Sequence, residues 1–351
     1  MAYTNIDDPS AYFQAAIYSG SNSQQAITND GNSDLKPDWL WIKQRSSTEN
    51  HMLVDSTRGV SKYLLSSSNI AEQTVTSRVE TLDTDGFTVN GASNPVNALG
   101  GTYVGWQWKC NGGTTSSNTD GTVTSTVQVN QDAGFSIVTW TTGVGSGNHS
   151  VGHGLGVKPA MFITKSRGST SSWWTWHQGL SGDTRYVNLS ATSASAGISN
   201  IWGDGITSSV FGYNYPTTVY ANQPYIAYCF AEKQGYSKFG KYVGNGNANG
   251  SFIYTGFKPA FLMIKDTGAA GNWFITDHKR NPFNLTDDWL VANGSGAETN
   301  YLNASSVDYL SNGFKLRTSY SETNTNARKY IYMAFAENPF TTSTGIPTTA
   351  R

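Results

Sequence analysis

Short apolar runs, set between clusters of Gly, Asn, Ser and Thr, follow one another along the chain, and one of them recurs. Lys36-Pro37-Asp38-Trp39-Leu40-Trp41-Ile42-Lys43 returns as Lys158-Pro159-Ala160-Met161-Phe162-Ile163-Thr164-Lys165. It returns again as Lys258-Pro259-Ala260-Phe261-Leu262-Met263-Ile264-Lys265. Four or five consecutive apolar residues predict a strand buried on both faces, and the proline, which has no N–H for a ladder, marks the strand's start. Downstream of the first and third copies an apolar strand runs into an aspartate, His51-Met52-Leu53-Val54-Asp55 and Trp273-Phe274-Ile275-Thr276-Asp277; the second has Trp173-Trp174-Thr175-Trp176-His177. Asp85-Gly86-Phe87-Thr88-Val89 is echoed by Asn312-Gly313-Phe314-Lys315-Leu316 and, more faintly, around Val210-Phe211. Each unit closes on an aromatic strand, beginning at Tyr103, Tyr225 and Tyr330. In the first, Tyr103, Gly105 and Gln107 alternate with Val104, Trp106 and Trp108, which predicts a sheet packed on one face. Proline and closing strand lie 66 residues apart in the first two units (37 to 103, 159 to 225) and 71 in the third (259 to 330).

These patterns predict an all-β chain of three tandem, divergent β-sandwich modules of jelly-roll-like type. The expected first module spans residues 1–110 and includes an N-terminal docking segment. Residues 111–132 form a linker and entry strand, with 111–120 (NGGTTSSNTD) composed like a flexible tether. The second module covers 133–235, and the third covers 236–351 with a short C-terminal tail. The tight join Glu232-Lys233-Gln234-Gly235 predicts that the second and third modules pack together.

Composition sharpens this picture. Aromatic residues make up 13% of the 351, and charged residues also only 13%, against roughly 25% in ordinary globular proteins. Glycine (37 residues), with Asn and Ser, supplies turns, while aromatic and β-branched residues suit a pleated surface. A net charge of −1 with no basic stripe gives no general attraction to nucleic acid. No run approaches the roughly 18 apolar residues of a membrane span, so no membrane insertion is expected. MAYTNIDDPSAYF lacks the cationic and apolar regions of a secretory signal. Cys110 and Cys229 make no disulfide framework and are expected as free, buried thiols of a protein made in a reducing cytoplasm.

Chemistry-bearing patterns are sparse. His149 and His153 have zincin-like spacing, but their Gly-rich setting forms no helix to bring both rings to one face, so a turn is the better reading and no metal or other cofactor is expected. Gly143-Val144-Gly145-Ser146-Gly147 misplaces the serine of a nucleophile elbow. Asp55, Asp85, Asp277 and Glu80 are formal candidates for a glycosidase pair, but the three aspartates occupy turn contexts; no catalytic residue is assigned and no enzyme is expected. Asp55 with Arg58, and Asp277 with Arg280, read as local salt bridges fixing turns. His177 and His278 fall at comparable places and read as packing groups. The aromatic surplus of the second unit has two readings. Trp173, Trp174, Trp176, Trp202, Tyr213, Tyr215 and Tyr220 could stack on sugar faces as a glycan or receptor surface, or alternate tryptophans could be buried.

The ordered set MAYTNIDDPSAYFQ, LKPDWLWIKQRS, DSTRG, DTDGFTV, TYVGWQWK, VGHGLGVKP, YIAYCFAE and FAENPF resembles virion structural proteins of tailed phages of marine and aquatic bacteria, cyanophages and pelagiphages in particular. The resemblance covers nearly the whole chain. It implies a non-enzymatic particle component of tail-fibre or tail-spike type, localised to the virion after synthesis in the host cytoplasm. Expected partners are other virion proteins, further copies of the chain (a trimer favoured) and bacterial surface polysaccharide. The alternative is an architectural capsid decoration, head-fibre or tail accessory protein; a polysaccharide-degrading enzyme is the remote one. Asp7, Asp8, Tyr12 and Phe13 are the candidate docking residues, although the same segment reads equally as an edge strand.

Overall fold

In a computed structural model, which describes residues 2–91, 94–143, 145–215, 219–300 and 306–348, the chain is built almost wholly of antiparallel strands. One strand order recurs in three consecutive stretches. In the first, an entry strand (Phe13–Ser19) lies beside the closing strand (Thr102–Trp108), which lies beside the K-P strand (Trp39–Gln44). Then follow a return strand (Met52–Asp55), a fourth (Lys62–Leu65) and a short fifth (Gln73–Thr74). The third stretch repeats this with Ser237–Val243, Lys329–Pro339, Phe257–Asp266, Trp273–Asp277, Asp288–Val291 and Thr299–Asn300. The second does so with Phe135–Thr141, Pro224–Phe230, Met161–Ser166, Trp174–His177, Arg185–Asn188 and Ala196–Gly197. Its sheet has two more strands at the edge, Ser116–Asn118 and Ser125–Asn130. The stretch expected as a tether thus holds an edge strand, because Ser116 to Asn118 find ladder partners in Ser125 to Val127.

A small sheet covers one face of each large one. In the first repeat Gln25–Ile27, Val79–Asp83 and Gly86–Val89 bring Ile27, Val79, Phe87 and Val89 against Leu40, Ile42 and Tyr103. Gly86 turns the hairpin at φ +98°, and a Cβ there would lie 1.9 Å from the Ile27 carbonyl oxygen, so only glycine fits. The sandwiches are unequal, six strands against three in the first and third repeats, where a jelly roll pairs two four-stranded sheets.

The other face of every large sheet packs into one shared core. Trp39, Trp41, Trp106 and Trp108 of the first repeat meet Phe135, Met161, Tyr228 and Phe230 of the second and Phe239, Phe261, Met263 and Phe335 of the third. Trp39 stacks on Tyr228 at 4.4 Å between ring centroids, and Trp108 meets Phe261 edge-on at 5.6 Å. Closing strands are therefore buried on both faces, not one as their alternation suggested: Val104, Trp106 and Trp108 face the shared core while Tyr103 faces the small sheet. The K-P strands are buried, as expected, with only Lys258 of the third partly exposed. The first two begin two residues past the proline, whereas Pro259 lies inside its strand, where the register shifts on either side of it because no N–H is available for the ladder. Burying each large side chain is worth roughly 1.5–3 kcal/mol, so this core is the main cohesive element between repeats.

The N-terminal segment is part of the same body. The Thr4 hydroxyl donates to the Gln234 carbonyl, Tyr3 to that of Gly256, and Asp7 accepts from the backbone N–H of Ser343 at 2.6 Å. Asp8 caps the turn at Ser10. Tyr12 packs edge-on to Tyr236, and Phe13, 2% exposed, stacks on Phe335. As a docking residue Phe13 is thus corrected: its ring belongs to the shared core and has no free face.

Candidate interface cleft

The strand registers align the repeats residue by residue. Trp39, Met161 and Phe261 are equivalent, each opposite the last residue of its return strand: Asp55, His177 and Asp277. His177 is therefore the counterpart of the two aspartates, and His278 is not its equivalent. Each repeat packs its fourth- and fifth-strand side on a neighbour: the first on the second, the second on the third, the third back on the first. The same backbone hydrogen bond marks all three interfaces, from Glu72 to Arg167, Ser195 to Thr267 and Glu298 to Arg45.

Two interfaces hold the same buried charge chain. Asp277 accepts from Arg280 Nε at 2.6 Å and from Trp106 Nε1 of the first repeat at 3.0 Å; Arg280 reaches Glu298 at 2.8 Å, and Glu298 is gripped by Arg45 at 2.7 Å. Asp55 likewise accepts from Arg58 Nε at 2.5 Å and from the Tyr228 hydroxyl at 2.8 Å; Arg58 and Arg167 share Glu72. The local Asp–Arg salt bridges read from sequence are present, and each extends across an interface. Burial alone would raise Asp277, but the Arg280 guanidinium outweighs it and holds the carboxyl below the usual carboxylate range.

At the interface of the second and third repeats every member of this chain is replaced. His177 stands for Asp, Leu180 for the arginine three residues on, Ser195 for Glu, and Thr267 for the second Arg. The partner position that is Trp106 or Tyr228 elsewhere is Met333, which has no donor. His177 is fully buried and pushed down to about 4, chiefly by burial, with Lys241 adding to the effect. It is neutral at ordinary pH, its Nε2 at 3.0 Å from the Tyr332 carbonyl and its Nδ1 accepting from Gly179 N.

A cleft of about 790 Å³ opens there, lined on one side by Gly179, Leu180, Ser181, Arg185 and Ser195, and on the other by Lys241–Val243, Thr267, Gly268 and residues 325–330. Its charge is one-sided. Arg185, Lys241, Arg328 and Lys329 line it, with no acid. The corresponding positions of the first interface, with the chain, carry Arg58, Lys62 and Arg167 against Asp55 and Glu72; at those positions Lys241, Arg328 and Lys329 become Thr139, Gln223 and Pro224. Those between the third and first repeats carry Arg45 and Arg280 against Asp277, Asp288 and Glu298, with Ile17, Gly101 and Thr102 opposite. Arg328 is held by buried Asp266 at 3.0 Å. Arg185, Lys241 and Lys329 have no acidic partner among the described residues, and Arg185 Nε has no hydrogen-bond partner there.

The sequence-predicted site residues lie elsewhere. Trp173, Trp176, Trp202 and Tyr213 are at most 3% exposed. A buried ring has no face to offer a sugar, which corrects these four as an exposed stacking surface. Trp173 seals the first interface by donating Nε1 to the Leu65 carbonyl, as its equivalent Trp273 does to that of Asn188 at the second. Trp174 is half-buried and packs on Tyr186; Tyr220 is 51% exposed, and the Tyr215 side chain lies outside the described residues. Asp85 accepts from Leu35 N and Glu80 from Asn90 Nδ2, in different hydrogen-bonded roles. His153 is buried with Nδ1 accepting from Leu155 N, while His149 stacks on Tyr213. Among the described residues no group of three or more His, Cys, Asp or Glu side chains is placed to hold a metal, and no helix is long and apolar enough to cross a membrane. Both cysteines are buried, free thiols.

Residues 8–339 match the family model described as a domain of unknown function, DUF7483. The chain belongs to that family. No curated protein and no solved structure matches it. The match runs across all three repeats and the cleft between the second and third. The basic residues of the cleft escape sequence reading because they come from three separate segments, and only the aligned registers show that acids are missing beside them.

Proposed function

We propose that this chain is a non-enzymatic structural protein of a tailed-phage particle, of tail-fibre or tail-spike type, that contributes to recognition of polysaccharide on the host surface. The observation that carries the recognition part is the interface of the second and third repeats, where a buried charge chain kept at two interfaces gives way to an open basic cleft. A rigid support of packed sandwiches with a concave site at a repeat boundary suits binding, since such boundaries are common places for ligand pockets. The particle assignment rests on the motif resemblance from MAYTNIDDPSAYFQ to FAENPF. Other virion proteins and further copies of the chain, with a trimer favoured, are the partners in this reading.

The second reading, an architectural decoration or tail accessory protein, is favoured by the shared core, which joins the three repeats into one compact body. Cryo-electron microscopy of the particle, with antibody labelling, places the chain on tail or head. Purified protein that adsorbs to host cells supports the recognition reading. A head location without adsorption leaves the architectural one.

A further inference from the structure

The ligand class of the cleft follows from its charge and its rings, on the reading that the cleft is the recognition site. We infer that it binds a saccharide bearing carboxylates, of the uronic-acid type. Lys241 and Lys329 are exposed on neighbouring strands, with Val243 directly opposite Lys329, and Arg185 faces them from the second repeat. Three cations converging from two repeats, with no acid among the residues that line the cleft, attract an anion, and a concave wall strengthens that field. Arginine is suited to grip a planar carboxylate, and the Arg185 guanidinium, which has no acidic partner among the described residues, makes only a long contact, 3.5 Å, from Nη2 to the Ser195 carbonyl. A neutral glycan would leave these charges unused.

The rings argue against nucleic acid. Single-stranded binding relies on aromatic faces for successive bases. The two tyrosines of the cleft, Tyr242 and Tyr330, stack on each other at 4.9 Å and are buried, so neither face is open. What remains for a ligand is hydroxyl, amide and apolar surface around the cations, as at Ser181, Asn326 and Val243, a mixture suited to sugar hydroxyls and ring C–H groups. The cations are also dispensable to the fold: the position of Lys241 is Ile17 in the first repeat and Thr139 in the second, and that of Lys329 is Thr102 and Pro224. Nothing in the repeated architecture requires a lysine at either place.

The test is isothermal titration calorimetry of the full chain with an oligogalacturonate, an uncharged oligoglucan of equal length and a single-stranded oligonucleotide of equal charge. Lys241→Glu/Lys329→Glu is the variant, with Lys158→Glu, outside the cleft, as the charge control. Retained thermal unfolding shows that the variants are folded. Expected is binding of the oligogalacturonate alone, weakened on the order of 100-fold in the double variant, at about tenfold per charge, and unchanged in the control. Equal binding of the oligoglucan, equal or tighter binding of the oligonucleotide, no binding of oligogalacturonate, or an unaffected double variant overturns the inference. Host-cell adsorption separates the two readings. If the wild type and the double variant adsorb equally, the cleft is not the recognition site although recognition stands. If the wild type binds oligogalacturonate but does not adsorb, the host-recognition reading fails while the saccharide site stands.

Discussion

Replacing Asp277 by Asn tests the buried charge chain and, through its size, how the repeats unfold. The carboxylate is 0% exposed and accepts four hydrogen bonds: from Arg280 Nε (2.6 Å), Trp106 Nε1 (3.0 Å), Arg280 N (3.0 Å) and Lys279 N (3.1 Å). An asparagine can keep the two backbone bonds with its oxygen, but its amide then points an N–H at two donors. Each hydrogen bond to a charged group is worth about 1.5–3 kcal/mol, and breaking one side of a buried pair costs about 3–5 kcal/mol. If the chain unfolds as one unit, its unfolding entropy is about 0.7 kcal/mol/K, which makes the expected fall in Tm about 4–7 °C. If the third repeat unfolded by itself, the smaller entropy would make the fall roughly three times larger. The assay is urea and thermal unfolding at pH 7, with Asp183→Asn as control. That aspartate pairs with Lys158 at a half-exposed site, and its loss is expected to cost under about 1 kcal/mol. Because the native pKa of Asp277 lies below the unfolded value, its contribution is complete above the unfolded pKa and is lost as pH falls through the native one. D277N should therefore also flatten the acid limb of the stability curve. A D277N variant within 1 kcal/mol of D183N would refute the reasoning.

Burial pushes Lys43, Lys165 and Lys265 down to about 8, so stability rises between about pH 8 and the unfolded lysine value near 10.4, and urea midpoints at pH 7.5 and 9.5 check the direction. Lys265→Met removes part of that rise and costs about 1–3 kcal/mol, because the Thr192 and Gly271 carbonyls lose their donor. Burial also holds His153 and His177 at about 4, so their contribution is complete above about pH 6.5 and is lost as pH falls toward 4, an upper bound of about 3 kcal/mol each; His177→Gln should remove roughly half of this dependence. Cys110 and Cys229 should both be silent to a thiol reagent in the native protein and both react after unfolding; fast native labelling of either contradicts the burial described above.

Sequence alone reveals the strands and their repetition because burial on both faces writes itself as an uninterrupted apolar run, as in Trp39 to Ile42 and Phe261 to Ile264. It does not reveal the shared core. Trp106 and Phe335 look like any alternating strand residue, and which sheet covers their face depends on contacts made more than a hundred residues away. The same limit misled the reading of Trp173, whose indole closes an interface on Leu65. Asp55 and Asp277 were readable as turn-fixing partners of Arg58 and Arg280, three residues on. Their reach to Glu72 and Glu298 was not, since those acids lie well along the chain, each just ahead of a short strand. The cleft was the least readable feature: its mark is the joint loss of Asp, Arg, Glu and Arg at His177, Leu180, Ser195 and Thr267, visible only once strand registers align the repeats.

Hydrogen–deuterium exchange of the full chain, with and without oligogalacturonate, tests the central claim most directly. The account predicts protection confined to the segments around Arg185, Lys241–Val243 and Asn326–Lys329, with no change at the equivalent segments around Lys62, Ile17–Ser19 and Gly101–Thr102. Protection centred instead on Trp174 and Tyr220, or spread equally over all three interfaces, would contradict it.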